Sequence, residues 1–494
     1  MSLSRRNFLR NSAFAASAAA IGKVEIVKAD EQKPSSSPAE KIGYAVVGVN
    51  GQGSNHLRAL ADRPDVEILY ICDVDEDVGQ HRCKLVGEKT GKTPQYVKDF
   101  RKALEDPAVQ CVSTATPNHW HALVTITALR AGKDVYCEKP ASHNVWEGRQ
   151  MVNWARKLGR ICQIGTQSRS SPSLHEAQAY VHSGKLGAIQ YAVGTCYKPR
   201  KSIGKLDQPL QIPATIDYDL WCGPAAKVDL YRPRLHYDWH WDWNTGNGDM
   251  GNQGIHQMDI ARWFLGEMQV SPRVASVGGR LGYSDAGNTP NSQIVFHAYE
   301  KAPLIFETRG LPKSGLNYDN GMDNYRGSRV GVIVQCEQGY VVIPTYHTAI
   351  VYNNDGTEVQ TFEFGEDPFS HHHANFINAV RSRKHEELNA DILNGHLSSA
   401  LCHTGGISHQ IGASAPREEI AQKLQGQELY ADSFKRLAEH LTANGVDIEQ
   451  SALTLGPWLE MDPATERFVS NDGANKLLTR EYREGYVVPD ASVA

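Results

Sequence analysis

IGYAVVGVNGQGSNH, residues 42–56, is the stretch that decides the fold of this chain. Its unbroken apolar run at 44–47 predicts a strand that is buried on both faces of a parallel sheet. Gly48, Gly51 and Gly53 follow at once, before a helical pattern begins. Glycines at such a turn let the backbone approach a diphosphate, and the N-terminus of the following helix attracts its negative charge. The stretch therefore predicts the first unit of a dinucleotide-binding Rossmann domain.

A second strand supplies the acidic residue that such a domain uses. Residues 66–72 predict another buried strand, and Asp73 ends it, 20 residues after Gly53. At this offset a carboxylate can bond the adenosine ribose hydroxyls. The loop differs from G-x-G-x-x-G, because Asn50 takes the middle glycine position and Gly51 comes one place late. A glycine-rich turn without a ligand is the alternative, but strand, loop, helix and acidic strand end together favour a dinucleotide site.

Composition excludes several classes of protein. The 494 residues suffice for two domains plus extensions, and 40% hydrophobic and 22% charged residues fit a soluble globular chain. A net charge of −5 gives no basic footprint for nucleic acid. Without an apolar run of membrane-spanning length, we expect no membrane span. The nine cysteines lack paired spacing, and neither His371–His373 nor the pair His236 and His240 has a carboxylate at ligand spacing, so we expect no disulfide framework and no metal site.

The N-terminus has the features of an export signal. SRRNFLR at residues 4–10 precedes an alanine-rich run at 11–22, and small residues near position 29 suit a cleavage site. This pattern predicts a twin-arginine (Tat) signal peptide over residues 1–29, with 30–40 as a solvated linker. A disordered basic tail is the alternative. The Tat route exports folded proteins, so it implies the Tat machinery as a partner, a periplasmic or otherwise exported location, and capture of the cofactor before export.

Strand and helix patterns alternate over the next part of the chain. We predict a Rossmann domain at 41–165, an α/β fold with a doubly wound parallel sheet whose ligands bind beyond the carboxyl ends of the strands. The predicted strands are 44–47, 66–72, 95–97, 109–115, 134–137 and 160–164, and the predicted helices are 54–60, 76–91, 99–105, 120–131 and 145–158.

Beyond residue 165 the pattern changes. We predict a substrate-binding and oligomerisation domain at 166–414, an α/β domain with an open, mostly antiparallel or mixed sheet, one face of which a partner subunit would cover. Residues 415–494 are predicted to form an appended C-terminal extension without an assigned role. The predicted strands are 188–197, 273–281, 293–299, 304–308, 331–335, 340–343 and 349–352, and the predicted helices are 174–183, 374–383 and 398–411.

Polar residues follow two strands of the predicted Rossmann sheet, as TPNH at 116–119 and EKP at 138–140. Lys139 would therefore lie on the cofactor side, where a cation can orient a hydroxyl or stabilise alkoxide charge, although a solvent-facing lysine is the alternative. Asp73 favours NAD, because its charge would repel the 2′-phosphate of NADP, which remains the alternative. The predicted cofactor-binding residues are Gly48, Asn50, Gly51, Gln52, Gly53, Asp73, Thr116, Pro117, Asn118, His119, Glu138 and Lys139.

The motifs TPNHWH at 116–121, EKP at 138–140 and GNQGIHQMDIARW at 251–263 resemble, in this order, those of the Gfo/Idh/MocA oxidoreductases. The resemblance covers roughly residues 41–415. It implies NAD(P)-dependent oxidation or reduction of a sugar or cyclitol hydroxyl, and a homo-oligomer (dimer or tetramer) that pairs through the open sheet. It also implies catalytic roles for Lys139, for His256 as the proton acceptor and for Asp259 in the same helix.

Asn252 departs from that pattern, since many members carry an aspartate four residues before the histidine. An amide can hydrogen-bond a substrate hydroxyl but cannot take its proton, so the proton transfer would fall to His256, assisted by Lys139. On a helix, residues 252, 256 and 259 share one face, and an imidazole suits proton transfer from an alcohol. A histidine of the core or the surface is the alternative. We therefore predict Lys139, His256, Asn252 and Asp259 as the catalytic set.

The stretch LHYDWHWDW at 235–243 is too aromatic and too polar for an ordinary strand. Aromatic faces stack on sugar rings, so this stretch could line a carbohydrate pocket, with a packed interdomain loop as the alternative. Cationic residues after two strands would prefer an acidic sugar or simply form a basic surface loop. The predicted substrate-binding residues are Gln167, Arg169, Tyr197, Arg200, Tyr237, His240 and Trp241, with Gln163 and Lys198 as further candidates.

Three functions remain open at this point. The first is an exported NAD(P)-dependent oxidoreductase acting on a sugar, sugar derivative or cyclitol, with Lys139 and His256 serving the hydroxyl proton. The second is an NAD-dependent glycoside hydrolase that oxidises its sugar transiently with a tightly bound cofactor. The third is a non-catalytic sugar-binding protein of the same fold, against which the presence of Lys139 and His256 argues.

Overall fold

The computed structural model describes residues 41–449 and 453–493. The predicted signal peptide and linker, residues 1–40, lie outside this part of the chain. Over the described ranges, no helix combines the length and the apolar character needed to cross a membrane.

The first sheet is parallel and has the strand order β3-β2-β1-β4-β5-β6. Its strands are β1 (Ile42–Val47), β2 (Val66–Cys72), β3 (Gln95–Val97), β4 (Cys111–Thr114), β5 (Asp134–Cys137) and β6 (Cys162–Ile164). Its helices are α1 (Gln52–Ala61), α2 (Glu76–Thr90), α3 (Arg101–Leu104), α4 (Asn118–Arg130) and α5 (Val145–Lys157). Every residue of β1 is buried, as expected for a central strand with helices on both faces. The predicted doubly wound sheet is confirmed.

The second sheet runs β14-β13-β12-β11-β7-β10-β9-β8-β16-β15, with β17 beside β8 and β18 beside β17. Strands β7 and β10 are parallel and the other neighbours antiparallel, so the predicted open mixed sheet is confirmed. Its strands are β7 (Ile189–Tyr197), β8 (Arg273–Gly279), β9 (Ser292–His297), β10 (Leu304–Arg309), β11 (Val330–Cys336), β12 (Gly339–Ile343), β13 (Thr348–Asn353), β14 (Glu358–Glu363), β15 (Ala413–Ala415), β16 (Leu453–Leu455), β17 (Leu459–Asp462) and β18 (Arg467–Phe468).

The helices of this part of the chain are α6 (Pro172–His182), α7 (Tyr218–Cys222), α8 (Ile255–Leu265), α9 (Phe369–Ser382), α10 (Ile392–Gln410), α11 (Arg417–Lys423), α12 (Glu428–Ala443) and α13 (Asp472–Lys476). Helix α9 packs against the Rossmann domain, where Phe376 and Ile377 share a core with β1 and β2. A π-helical turn, Met250–Gly254, leads directly into α8. Helices α6, α8 and α10 share the main core with one face of the sheet.

The other face of β7 to β10 is covered by the chain itself. Val193, Phe296 and Ile305 form one buried cluster with Phe434 and Leu437 of α12. The prediction that a partner subunit covers this face is therefore wrong for these strands. The predicted C-terminal extension, residues 415–494, adds strands to this sheet, because β16 and β17 both pair with β8.

The last described residues return to the Rossmann domain. The indole Nε1 of Trp154 donates to the carbonyl of Pro489 (3.0 Å), and the Tyr482 hydroxyl donates to Glu147 (2.9 Å). The rings of Tyr486 and Trp120 meet edge to face, with centroids 5.6 Å apart. Residues 482–489 therefore pack on the outer surface of helices α4 and α5.

Candidate active site

Two glycines make the turn between β1 and α1 possible. Gly48 has φ of 75°, and a Cβ on it would lie 2.8 Å from the backbone nitrogen of Thr116. A Cβ on Gly53 would lie 1.9 Å from the carbonyl oxygen of Gly48, so only glycine fits there. At Gly51, in contrast, an added Cβ would meet open space.

The N-terminus of α1 fits the diphosphate of a dinucleotide. Gly51 is the N-cap residue, and no side chain caps the first helical N–H groups. Gly51 and Gln52 line a cleft that extends along the carboxyl ends of the strands. Uncapped N–H groups at the start of a helix bind anions well, so this turn has donors available for phosphate oxygens.

Most of the predicted cofactor-binding residues line this one cleft. They are Gly48, Asn50, Gly51, Gln52, Asp73, Thr116, Pro117, Asn118, Glu138 and Lys139. The other two do not reach it. Gly53 lies behind the turn against Gly48, and His119 is fully buried, with Nε2 3.0 Å from the carbonyl of Trp221. The contact of His119 with that carbonyl holds a neighbouring loop.

Asp73 supports the glycine loop as well as lining the cleft. Its carboxylate accepts hydrogen bonds from the backbone N–H groups of Val49 (2.8 Å) and Asp75 (3.0 Å). Burial raises the pKa of Asp73, and these two hydrogen bonds partly oppose that shift. Each carboxylate oxygen keeps a further lone pair, so a ribose hydroxyl can still bind.

A segment of the second domain closes the cleft from the opposite side. We call residues 213–243 the roof segment. Its backbone bonds to the end of β2, from Asp217 N–H to the carbonyl of Val74 (3.0 Å), and the His236 imidazole lies 3.0 Å from the Asp75 carboxylate. The roof residues that line the cleft are Leu220, Trp221, His236, Tyr237, Trp239 and His240.

The roof segment divides the predicted aromatic pocket residues. Tyr237 and His240 line the cleft, as stated above, whereas Trp241 is buried beneath the Arg200 guanidinium, which lies 5.0 Å from its ring. The aromatic stretch therefore lies on the dinucleotide cleft, and Trp241 is a packing residue there.

The EKP motif ties the glycine loop to the second domain. The Glu138 carboxylate accepts hydrogen bonds from His56 (3.1 Å) and Gln52 (3.3 Å). Burial opposes its ionisation, but the hydrogen bond from His56, aided by the charges of His56 and Lys139, outweighs burial and lowers the pKa of Glu138 to about 2. Lys139 Nζ donates to the backbone carbonyl of Asn252 (2.9 Å), and burial lowers its pKa despite the neighbouring Glu138.

His256 follows two residues after that π-helical turn, in the first turn of α8. It is 6% exposed, and its ring lies 4.9 Å from that of Tyr346, centroid to centroid. Its Nδ1 is buried and has no hydrogen-bond partner. Burial, reinforced by the charge of Lys139, lowers the pKa of His256 to about 3, so the ring is neutral near pH 7 and has a nitrogen able to accept a proton.

Asp259 and Arg169 are turned away from the cleft. Arg169 Nε lies 2.8 Å from the Asp259 carboxylate, which also accepts a hydrogen bond from Ser398 (2.6 Å). Both partners are buried, at 5% and 1% exposed. The structure therefore makes Asp259 the partner of a buried ion pair. Arg169 is held in that pair through Nε, and its Nη2 is buried without a hydrogen-bond partner.

Tyr197 and Arg200 are also engaged elsewhere. The Tyr197 hydroxyl donates to Glu307 (2.5 Å) on the sheet face that α12 covers, and Arg200 pairs with Asp249 (2.5 Å). Gln167, in a short 3₁₀ helix, does not line the cleft.

Sequence reasoning missed residues that complete the site. Tyr346 lies in the connection between β12 and β13, and its hydroxyl accepts a hydrogen bond from Gln253 (2.7 Å). Trp221 forms part of the cleft wall. A lone tyrosine in a connection carries no sequence signal, because only tertiary folding brings it to His256.

Two domain models of one oxidoreductase family match the chain. Residues 42–166 match the Gfo/Idh/MocA model described as "Oxidoreductase family, NAD-binding Rossmann fold", and residues 184–317 match that family's "C-terminal alpha/beta domain". Together the two matches cover just over half of the 494 residues.

Individual relatives are distant. Levoglucosan dehydrogenase from Pseudarthrobacter phenanthrenivorans is 26% identical over 179 residues, which are 36% of this chain and 38% of that protein. Inositol 2-dehydrogenase from Rubrobacter xylanophilus is 26% identical over 317 residues, 63% of this chain and 74% of that protein. A solved levoglucosan dehydrogenase in complex with NADH and levoglucosan aligns with a TM-score of 0.55 at 18% identity, over 74% of this chain and 95% of that one. At this identity the structural likeness establishes the fold.

Proposed function

The chain belongs to the Gfo/Idh/MocA oxidoreductase family, with NAD as its cofactor, and from that premise we propose that it oxidises or reduces a hydroxyl of a sugar, sugar derivative or cyclitol. The single observation that carries the proposal is that Lys139 and His256 meet at one turn. Lys139 is hydrogen-bonded to Asn252 within the π-helical turn, and His256 is the second residue after that turn. The levoglucosan and inositol dehydrogenases among its relatives support the substrate class.

The two side chains have complementary roles in this proposal. When bound, NAD would supply the hydride acceptor. His256 is neutral near pH 7 and is placed to accept the hydroxyl proton. Its lowered pKa makes it a weak base, so the transfer relies on Lys139 to stabilise the developing alkoxide. The Lys139 ammonium, fixed by the Asn252 carbonyl, still has two N–H donors that can orient the hydroxyl oxygen and stabilise its developing negative charge. The carboxylate of Asp73 disfavours NADP, because it would repel the 2′-phosphate.

The roof segment favours a second candidate, an enzyme that keeps its NAD through repeated cycles. Two backbone hydrogen bonds join the roof to the Rossmann domain, from Asp217 N–H to the Val74 carbonyl (3.0 Å) and from Glu76 N–H to the Thr215 carbonyl (3.1 Å). We infer that they help to retain a bound dinucleotide in the cleft. A retained cofactor suits transient oxidation, in which the sugar is oxidised by NAD, eliminates its glycosidic substituent, adds water to the resulting double bond and takes the hydride back. An exported enzyme would benefit, because it could not rely on fresh NAD.

One experiment separates these candidates. The protein is purified without added cofactor, and the reduced-nicotinamide absorbance is recorded with a panel of sugars, cyclitols and glycosides, levoglucosan and inositol included, before and after adding NAD. Steady reduction of added NAD supports the dehydrogenase. Release of aglycone without net reduction supports the hydrolase. A protein that neither binds NAD nor changes any compound would contradict both and favour the non-catalytic sugar-binding alternative.

Export by the Tat route to the periplasm and assembly into a homo-oligomer are further proposals. The first rests on the twin arginines, Arg5 and Arg6, and the second on the family resemblance. Fractionation of cells that express the wild type or an Arg5→Lys/Arg6→Lys variant tests export, which the variant should abolish. Light scattering coupled to size exclusion tests assembly. Because α12 covers β7 to β10, an oligomer would have to use another surface.

A further inference from the structure

We propose that the substrate is an acidic sugar, one that carries a carboxylate, and that Lys198 recognises it. The inference rests on the proposed oxidoreductase function and names the substrate class for the same site. Lys198 directly follows β7, and its Nζ donates a hydrogen bond to the side-chain oxygen of Gln253 (3.1 Å).

The alternation of β7 directs Lys198 towards the site. Tyr197 lies on the sheet face covered by α12, and successive side chains of a strand point to opposite faces, so Lys198 points to the face on which α8 packs. Its partner Gln253 donates through Nε2 to the hydroxyl of Tyr346 (2.7 Å), and Tyr346 lies against the His256 ring.

Two ammonium groups are thus held by adjacent residues of one turn. Lys139 bonds the carbonyl of Asn252, and Lys198 bonds the side chain of Gln253. Burial is the main cause of the lowered pKa of both Lys139 and His256, and the positive charge of Lys198 adds to both shifts. Lys198 is therefore close enough to act electrostatically on both proposed catalytic residues.

The charges around this turn do not balance. Arg200 is paired with Asp249 (2.5 Å), and Glu138 is the carboxylate that acts most strongly on Lys139. Within residues 41–449 and 453–493, no carboxylate forms an ion pair with Lys198. A half-buried cation without a counter-charge is unfavourable, and an anionic ligand would supply that charge.

The chemistry of the donors selects a carboxylate. An ammonium group has three N–H donors, of which one on Lys198 and one on Lys139 are used within the protein. The remaining donors can make charge-assisted hydrogen bonds to an acceptor-only anion. One uncompensated positive charge matches a monoanion such as a uronic or aldonic acid, whereas a phosphate ester carries more negative charge than this turn can neutralise.

The test measures binding to the NADH-loaded protein by calorimetry, with D-glucose against D-glucuronate, D-galactose against D-galacturonate, and D-glucose 6-phosphate. Turnover with NAD is recorded in parallel. The variants are Lys198→Met and Lys198→Arg. The matched control is Lys201→Met, an exposed lysine of the same loop whose ammonium lies over the Tyr318 ring.

The wild type should bind each acid more tightly than its neutral partner. In Lys198→Met the ratio of acid to neutral-sugar affinity, measured within that variant, should fall about 10- to 100-fold. Lys198→Arg should keep most of the preference, and Lys201→Met all of it. Equal or tighter binding of the neutral sugars, tightest binding of the phosphate ester, or an unchanged preference in Lys198→Met would overturn the inference. Binding of the acids without turnover of any sugar would support the anion site and contradict the proposed redox function. Turnover restricted to neutral sugars would support the redox function and contradict the anion site.

Discussion

Removal of the Asp259 carboxylate should lower the stability of the folded protein without acting directly on its catalytic step. Asp259 accepts hydrogen bonds from Arg169 (2.8 Å) and Ser398 (2.6 Å), and the Arg262 guanidinium lies 3.9 Å away. All three charged side chains are at most 7% exposed. In Asp259→Ala both guanidinium groups would lose their buried counter-charge, and we expect the free energy of unfolding to fall by about 3–5 kcal/mol.

Urea unfolding followed by tryptophan fluorescence and circular dichroism measures this change as a shift of the transition midpoint. Two probes are needed, because a chain with two sheets can unfold in more than one step. Asp207→Ala, at an exposed aspartate, is the matched control and should not shift the midpoint. The double variant Arg169→Met/Asp259→Leu should recover part of the lost stability, because it removes Arg169 together with its counter-charge and leaves only Arg262 without one.

The opposite pattern would refute the structural assignment. If Asp259→Ala unfolds at the wild-type urea concentration and binds NAD normally, yet loses turnover, then Asp259 contacts the substrate directly, as the sequence resemblance implied. The buried ion pair seen here would then be irrelevant to its role.

Three further predictions follow from the site. Gly53→Ala should abolish NADH binding, measured by fluorescence titration, because its Cβ would lie 1.9 Å from the Gly48 carbonyl oxygen, whereas Gly51→Ala, whose Cβ meets open space, should bind almost normally. Burial lowers the pKa of Lys139, so kcat/KM should fall on the alkaline side below pH 10.5, and Lys139→Met should remove that limb together with about 100-fold of turnover. Buried histidines such as His256, with a pKa of about 3 in the folded chain against an ordinary 6.5, bind a proton on unfolding below pH 6.5. The free energy of unfolding should therefore be at its full value above pH 6.5 and fall towards pH 3, by about 1.4 kcal/mol per pH unit for each such histidine. The urea midpoint measured at a series of acidic pH values checks this slope, which would be absent if these histidines were already protonated in the folded chain.

The Rossmann half could be predicted closely from sequence because its signals are local. Each central strand is a short apolar run bounded by a helix pattern, and the predicted bounds of β2, β3 and β5 agree with the structure residue for residue. Strand β14 was missed for the complementary reason. Its sequence EVQTFE is exposed at five of six positions, so an edge strand with no buried face leaves no apolar alternation to read.

The C-terminal part could not be predicted because its pairing is not local. Strand β16 reaches β8 across some 175 positions of sequence, as Thr454 pairs with Gly278, and three residues of strand carry little signal of their own. The same limit applies to α12. Its amphipathic pattern shows that one face is buried, but only the fold shows that the buried face lies against β7 to β10.

The predicted site residues also differ in whether a local pattern or only the tertiary fold determines their positions. Most residues chosen at the ends of β1, β2, β4 and β5 line one cleft, because the carboxyl ends of parallel strands meet at one edge of the sheet. Helix spacing alone did not show which way each side chain turns. Asp259 shares a helix face with His256 in the sequence, yet it lies one turn further along and meets Arg169. Tyr197 and Lys198 are neighbours, and strand alternation sends only Lys198 to the side of α8.

Asn252 occupies the position at which many family members carry an aspartate, and the structure limits what this difference can affect. The backbone carbonyl of Asn252, not its side chain, accepts the hydrogen bond from Lys139 Nζ (2.9 Å). A main-chain carbonyl is present whatever the side chain is, so asparagine leaves Lys139 in place and removes only a negative charge beside it. Without that carboxylate, less negative charge balances the positive charges of Lys139 and Lys198. The asparagine thus leaves His256 as the proton acceptor and makes this end of the cleft more cationic, which is the condition under which an acidic sugar would bind best.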